Sequence, residues 1–437
     1  MILLAFAFLF GGASRQHELR LALVELAALP TLVMAIGLLW GQTLPQGRLA
    51  LMILAGVVTI PLIQLVPLPP AIWTMLPSHA QSELAFQVIG TVPGWLPLSL
   101  SPDRTWASFL ALLPPVAMFL GILALRPDTV PRLVQLLLLL TAGAVLLGMA
   151  QILIGDQSLY LWATTDAGNV VGFFANRNHM ATLCLVSLPF AITLAGNAMR
   201  HHDARSRITV WVALTFTIVI IFAMAAIRSR TGLVLLGPVL GASILAGWIA
   251  AGRGRPRPVF LGMVGVTAVA LVACAVLAIN PILERFDATG AREGRFENWP
   301  LIAETTNTYL PLGSGLGSFD TVFRSVEPLE RLDPTFFNQA HNDYLETWLE
   351  TGWLGAILII AFLVWYVRRS WAIWKTRSAP YWDMQRAATI AIGVVLLHSF
   401  VDYPLRTATM ATVFALCCGL LETVYRRDPR SSRRSEA

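Results

Sequence analysis

PRLVQLLLLLTAGAVLLGMAQILI (131–154) decides what kind of chain this is. After Arg132 it reaches Ile154 without a single charge, and roughly 20 apolar residues are enough to carry a helix across a bilayer core. Its apolar residues run continuously instead of alternating, which excludes a transmembrane β-strand. In lipid such a segment must satisfy its own backbone hydrogen bonds, so it is a helix. The same texture recurs along the chain. Twelve apolar segments can be drawn, at about 1–13, 21–41, 49–69, 105–125, 131–154, 176–196, 208–227, 231–251, 259–280, 351–367, 387–404 and 406–425. The first is short for a span and is read as a tilted helix continuing toward Arg20. Composition agrees with this reading. The 437 residues are 56% hydrophobic and 13% charged, with a mean hydropathy of +0.67, whereas soluble domains carry roughly 25% charged residues. Soluble enzymes, disordered chains and secreted disulfide scaffolds are excluded. The expected fold is all-α, a polytopic membrane protein with about 12 transmembrane helices.

The net charge of +6 and pI near 9.5 do not describe a nucleic-acid-binding face, because the basic residues are spread through the gaps between apolar segments. All are arginine except Lys375. With the N-terminus inside, 19 of the 31 basic residues fall in cytoplasmic gaps or the tail. Of the other 12, five lie in one long loop, and long loops cross largely regardless of charge. Both termini are therefore expected in the cytoplasm and the long loop outside. This gives transmembrane helices over 1–280, a partly helical periplasmic loop over 281–350, three more helices over 351–425, and a basic tail at 426–437. The loop holds 12 of the 25 acidic residues. Cys184, Cys274, Cys417 and Cys418 sit inside apolar segments without metal-ligand spacing and read as small buried residues.

Ionisable groups at the outer ends of helices are informative, since lipid makes them expensive. Four clusters qualify: FFANRNHMAT with Arg177 and His179, IRSRTG with Arg228 and Arg230, GAREGRFENWP with Arg292 and Arg295, and FFNQAHNDYLETWLETGWLG with His341. Each has a plain structural reading, as a snorkelling cap, a solvated loop charge or a structural histidine. Their convergence on one membrane face favours function. Guanidinium groups grip phosphate oxygens in a fork and stay charged, and a histidine takes a proton from an attacking hydroxyl. Together they suit transfer from a phosphate-activated donor. Asp343, Glu346 and Glu350 fall at helical spacing, as divalent-metal ligands or, more simply, the polar face of an entering helix. Asp402 is expected to pair with Arg406 one turn later. PLGSGLGSF (311–319) lacks the Lys-Ser/Thr of a phosphate loop and reads as a flexible turn.

NQAHNDYLETWLETGWLG (338–355) resembles the Asn-x-x-His-Asn-x-Tyr-Leu signature, with its following Glu-x-Gly, of the O-antigen ligase/polymerase superfamily. SRTG (229–232), Gly294-Arg295 with Trp299 downstream, PLGSGLGSF and FANRNHMAT extend the likeness across about 170–360. The resemblance implies a helical glycosyltransferase of the C type in the bacterial inner membrane, with its site facing the periplasm. Arg230 and Arg295, with Arg228 beside them, would hold the diphosphate of an undecaprenyl-diphosphate-linked glycan. His341 would activate a hydroxyl of lipid A-core or another glycan acceptor. Arg177, Asn342, Asp343, Tyr344 and Asp402 would support them, with no metal, other cofactor or nucleic acid involved. A ligase, a polymerase and a protein O-oligosaccharyltransferase all fit that pattern. A lipid-linked glycan flippase is the rival from another class, but transporters gather charge at the midplane, and here it gathers at one face.

Overall fold

The computed structural model describes the chain except for residues 15–17, 43–46, 163–167, 202, 253–257, 289–293, 332–336, 377–379 and 424–437. It is a helical bundle. In chain order the first helices are α1 (Ile2–Phe10), α2 (Glu18–Leu39), α3 (Arg48–Gln64), α4 (Pro70–Trp73), α5 (Ala80–Ile89), α6 (Pro102–Leu110), α7 (Leu113–Ala124) and α8 (Val130–Ile154). They are followed by α9 (Arg177–Ala198), α10 (Ala204–Ile227), α11 (Arg230–Ala250), α12 (Pro258–Ala288), α13 (Gly294–Tyr309) and α14 (Phe319–Val326). The last are α15 (Asp343–Lys375), α16 (Pro380–His398) and α17 (Ala408–Glu422). Two two-residue strands, β1 (Pro67–Leu68) and β2 (Leu96–Pro97), pair antiparallel.

Among the described residues, eight helices are long and apolar enough to cross a membrane, counting α6 and α7 as one span. The apolar helices α3 and α17 are shorter. The chain is thus an all-α, multi-pass membrane protein, and twelve remains the count expected from the segments.

The bundle is organised around α9, which packs against α8, α10, α11 and α16. Without a hydrophobic drive between helices in lipid, close association rests on small residues and interhelical hydrogen bonds. Both occur on α9. A Cβ on Gly196 would lie 2.3 Å from the Gly247 carbonyl of α11, so these two helices touch backbone to backbone. Thr141 of α8 and Ser187 of α9 share a buried hydrogen bond of 2.9 Å.

A cap covers one end of the bundle. Its small core joins Ile302 and Tyr309 of α13, Phe319, Val322 and Phe323 of α14, and Ala340 and Leu349. The tenth segment begins earlier than the hydropathy suggests. It starts at Asp343 and runs to Lys375, with a kink at Gly352 (φ 58°, ψ −144°). The glycine-rich 311–319 stretch packs into that kink. The amides of Ser314 and Gly315 donate to the carbonyls of Leu349 and Glu350 at 3.0 and 2.9 Å, and Trp353 N donates to Pro311 O at 2.9 Å. Gln64, buried at the end of α3, donates to Glu350 O and accepts from Leu316 N. The expected flexible turn is a bonded plug, because the broken helix exposes carbonyls that need partners.

Candidate active site

Asn342 caps α15, its side-chain oxygen accepting from the amides of Tyr344 and Leu345, both at 3.1 Å. His341 stands one residue before that cap with φ 51°, a left-handed conformation in which histidine is enriched among non-glycine residues. The reversal turns its ring onto Tyr403, with ring centroids 4.7 Å apart. Phe337 lies on another side at 5.9 Å. The preceding carbonyl, of Ala340, accepts from Trp299 Nε1 at 3.1 Å, and the Ala340 amide donates to Glu346 at 2.7 Å. Trp299 thereby ties α13 to the histidine turn.

Asp402 does not pair with Arg406 as its spacing suggested. Its Oδ1 lies 3.3 Å from Nδ1 of His341. The same oxygen accepts from Tyr403 N at 3.0 Å, and the carboxylate is 1% exposed. The expected pairing presumes a continuous helix. In fact α16 ends at His398, and residues 399–403 form a turn that swings Asp402 toward the histidine.

Arg406 goes instead to the three carboxylates on α15. It lies 2.9 Å from Glu350, 3.4 Å from Glu346 and 3.8 Å from Asp343. Asp343 also accepts from Ser399 Oγ at 2.7 Å. The three acids therefore surround an arginine, and among the described residues no group of histidines, cysteines and carboxylates is arranged to hold a metal ion. The Tyr344 hydroxyl donates to Leu396 O at 2.8 Å.

The arginine junction reaches the same region through α9. Ser229 caps α11, and its hydroxyl donates to Asn178 Oδ1 at 2.8 Å. Next to Asn178, the buried His179 sets its ring 5.2 Å from that of Tyr403. Arg228 (φ 56°) and Arg230 flank Ser229, so Ser229, Asn178, His179 and Tyr403 form a short chain of contacts to His341. Arg177 donates to Asn169 at 3.3 Å. Arg295 lies in the first turn of α13; its side chain and all of Arg292 lie outside the described residues.

Tyr403 and Ser399 were not singled out from the sequence, and Arg406 was named only as a partner for Asp402. Only FANRNHMAT carried a signal, for His179. The others owe their place to the turn after α16.

Fold and site together define a helical, multi-pass membrane protein with a histidine–carboxylate pair and an arginine-flanked helix junction at one end of the bundle. Residues 215–360, from within α10 to within α15, match the family model described as O-antigen ligase. Over those residues, about a third of the chain, the match supports the O-antigen ligase/polymerase superfamily, whose members are glycosyltransferase-like enzymes acting in general on lipid-linked glycans and acceptors. No curated protein matches the chain.

Proposed function

We propose that the chain transfers a glycan from undecaprenyl diphosphate to a hydroxyl of lipid A-core, at the periplasmic face of the bacterial inner membrane. The observation that carries this reading is the pairing of His341 with the buried Asp402, beside a helix junction with an arginine on each side of Ser229. A carboxylate on Nδ1 fixes the imidazole tautomer and leaves Nε2 as the proton acceptor. His341 keeps 22% of its side chain exposed, enough for a substrate to reach it.

In the proposed step Nε2 takes the proton as the acceptor oxygen bonds to the anomeric carbon. The bond from that carbon to the diphosphate oxygen breaks, and the carrier diphosphate leaves with the electron pair. Arg230 and Arg295, with Arg228 alongside, stabilise the charge that develops there. Arg177, Asn342, Asp343 and Tyr344 hold the surrounding backbone and carboxylates in place. No metal ion or other cofactor enters this scheme.

His341→Ala in purified, membrane-reconstituted protein is the direct test. Thermal unfolding is expected to stay close to wild type, while transfer from an undecaprenyl-diphosphate-linked donor drops at least about a hundredfold, as for loss of a general base. Near-normal transfer would overturn the mechanism. In a deletion strain, polymer should still form on the carrier but fail to reach lipid A-core. Loss of chain length with attachment intact would mark a polymerase instead.

A further inference from the structure

Between Gln64 and Pro102 the chain leaves the bundle at the capped end and returns, and this arm holds one formal charge, Glu83. It carries the β1–β2 pair, α4 and α5. The arm has a small core of its own. Trp73 is fully buried, its Nε1 donates to Gly94 O at 2.8 Å, and its ring lies 5.9 Å from the rings of His79 and Phe86. His79, also buried, bonds Pro97 O at 3.0 Å. Two further bonds tie the arm to the cap, from Leu100 N to Ser314 O and from Ser101 Oγ to Thr321 Oγ1, both at 2.9 Å. Specific contacts therefore fix where the arm stands.

That core leaves six large apolar side chains outside. Met75, Leu84, Val88, Ile89, Val92 and Trp95 are 58–89% exposed. By helical spacing Leu84, Val88 and Ile89 share one side of α5, while Glu83 and Gln87, hydrogen-bonded at 3.4 Å, lie one turn apart on the other. Apolar surface exposed on this scale marks an interaction site.

We propose that this arm lies on the membrane at the capped end, the apolar side of α5 sunk into the boundary between headgroups and acyl chains, and that its partner is an electroneutral lipid surface. Two observations choose lipid over a protein. First, the arm continues the apolar surface of the bundle. Leu62 and Ile63 at the end of α3 are exposed, and from there to Met75 every exposed side chain is apolar. On the returning side Trp106 is exposed near the start of the span formed by α6 and α7, and tryptophan favours the membrane–water interface. A protein interface would be closed off by a polar rim, which the α3 side lacks. Second, with no lysine or arginine between Arg48 and Arg104, the arm has nothing to grip an acidic protein face or an anionic headgroup. Its attachment rests on buried apolar area alone. This inference goes beyond the transfer reading and does not depend on it.

The test is electron paramagnetic resonance on the full-length protein in phosphatidylcholine nanodiscs, with a nitroxide attached at Val88→Cys or at Gln87→Cys. The Val88 label should sit about 5–10 Å below the lipid phosphates, reached by oxygen and shielded from a soluble nickel chelate. The Gln87 label should be open to the chelate. Adding Val92→Glu should lift the Val88 label toward water, and exchanging the lipid for phosphatidylglycerol should leave its depth unchanged. Equal chelate access at the two sites would overturn the proposal, as would insertion that occurs only with phosphatidylglycerol. Dipolar broadening of the Val88 signal that fades on mixing with unlabelled protein would identify a second copy as the partner and overturn it too.

Discussion

At the scale of single residues, the centre depends on a reversal of the chain just ahead of α15. His341 adopts φ 51°, a conformation that costs a non-glycine residue about 1–2 kcal/mol, and it is held by the Asn342 cap on one side and the Trp299–Ala340 bond on the other. The 3.3 Å contact with Asp402 is too poorly aligned for a hydrogen bond, as is common before substrate binds. Asp402→Asn keeps the shape and removes the charge. It is expected to lower kcat by about a hundredfold or more with little change in KM for the donor, since the group orients the base and does not touch the donor. A rise in KM at unchanged kcat would place Asp402 in substrate binding. His341 was legible in the sequence because its neighbours form a recognisable signature. Asp402 was legible as a supporting residue, but its partner was misassigned to Arg406, because i,i+4 spacing carries meaning only within a helix, and α16 stops at His398 before Asp402 is reached.

At the scale of elements, the decisive feature is the break in α15. Gly352 has φ 58° and ψ −144°, a region essentially confined to glycine, and a Cβ there would lie 2.2 Å from the Pro311 carbonyl. The 311–319 plug, Gln64 of α3 and the first turns of α15 are all joined through this break. Gly352→Ala is therefore expected to destabilise the fold by about 2 kcal/mol or more, read as a lowered thermal midpoint. Gly237→Ala in α11, where an added Cβ meets nothing within 4 Å, is the matched control and should leave the midpoint unchanged or raised. Equal effects would mean that the kink is not what anchors the plug. Hydropathy located the helices but started the tenth at 351, because the polar run from Asp343 to Glu350 does not look like a membrane helix. Those acids are helical and buried because Arg406 arrives from a different part of the chain to neutralise them, a contact that no local window can show.

At the scale of the whole molecule, the few charges are sorted between the two ends of the bundle. The end away from the cap is laced by its own buried pairs. Asp383 meets Arg200 of the α9–α10 connection at 3.1 Å and contacts Arg386, while Glu422 accepts from Trp365 at 2.6 Å and lies 3.6 Å from Arg369. These pairs fasten the ends of α9, α15, α16 and α17, and a buried charge that loses its partner costs about 3–5 kcal/mol. The capped end holds His341, Arg228 and Arg230, and it carries fewer arginines outside the long loop than the opposite end, so the positive-inside rule predicts that it faces outward. The four described cysteines are all buried, which gives a low background for single-site labelling. Gln87→Cys, exposed on α5 at the capped end, should react with an impermeant maleimide in intact spheroplasts. Arg205→Cys, exposed at the start of α10, should react only after lysis. The reverse pattern would turn the capped end toward the cytoplasm, where a donor glycan carried on the outer leaflet could not meet His341, and the proposed transfer would fall with the topology.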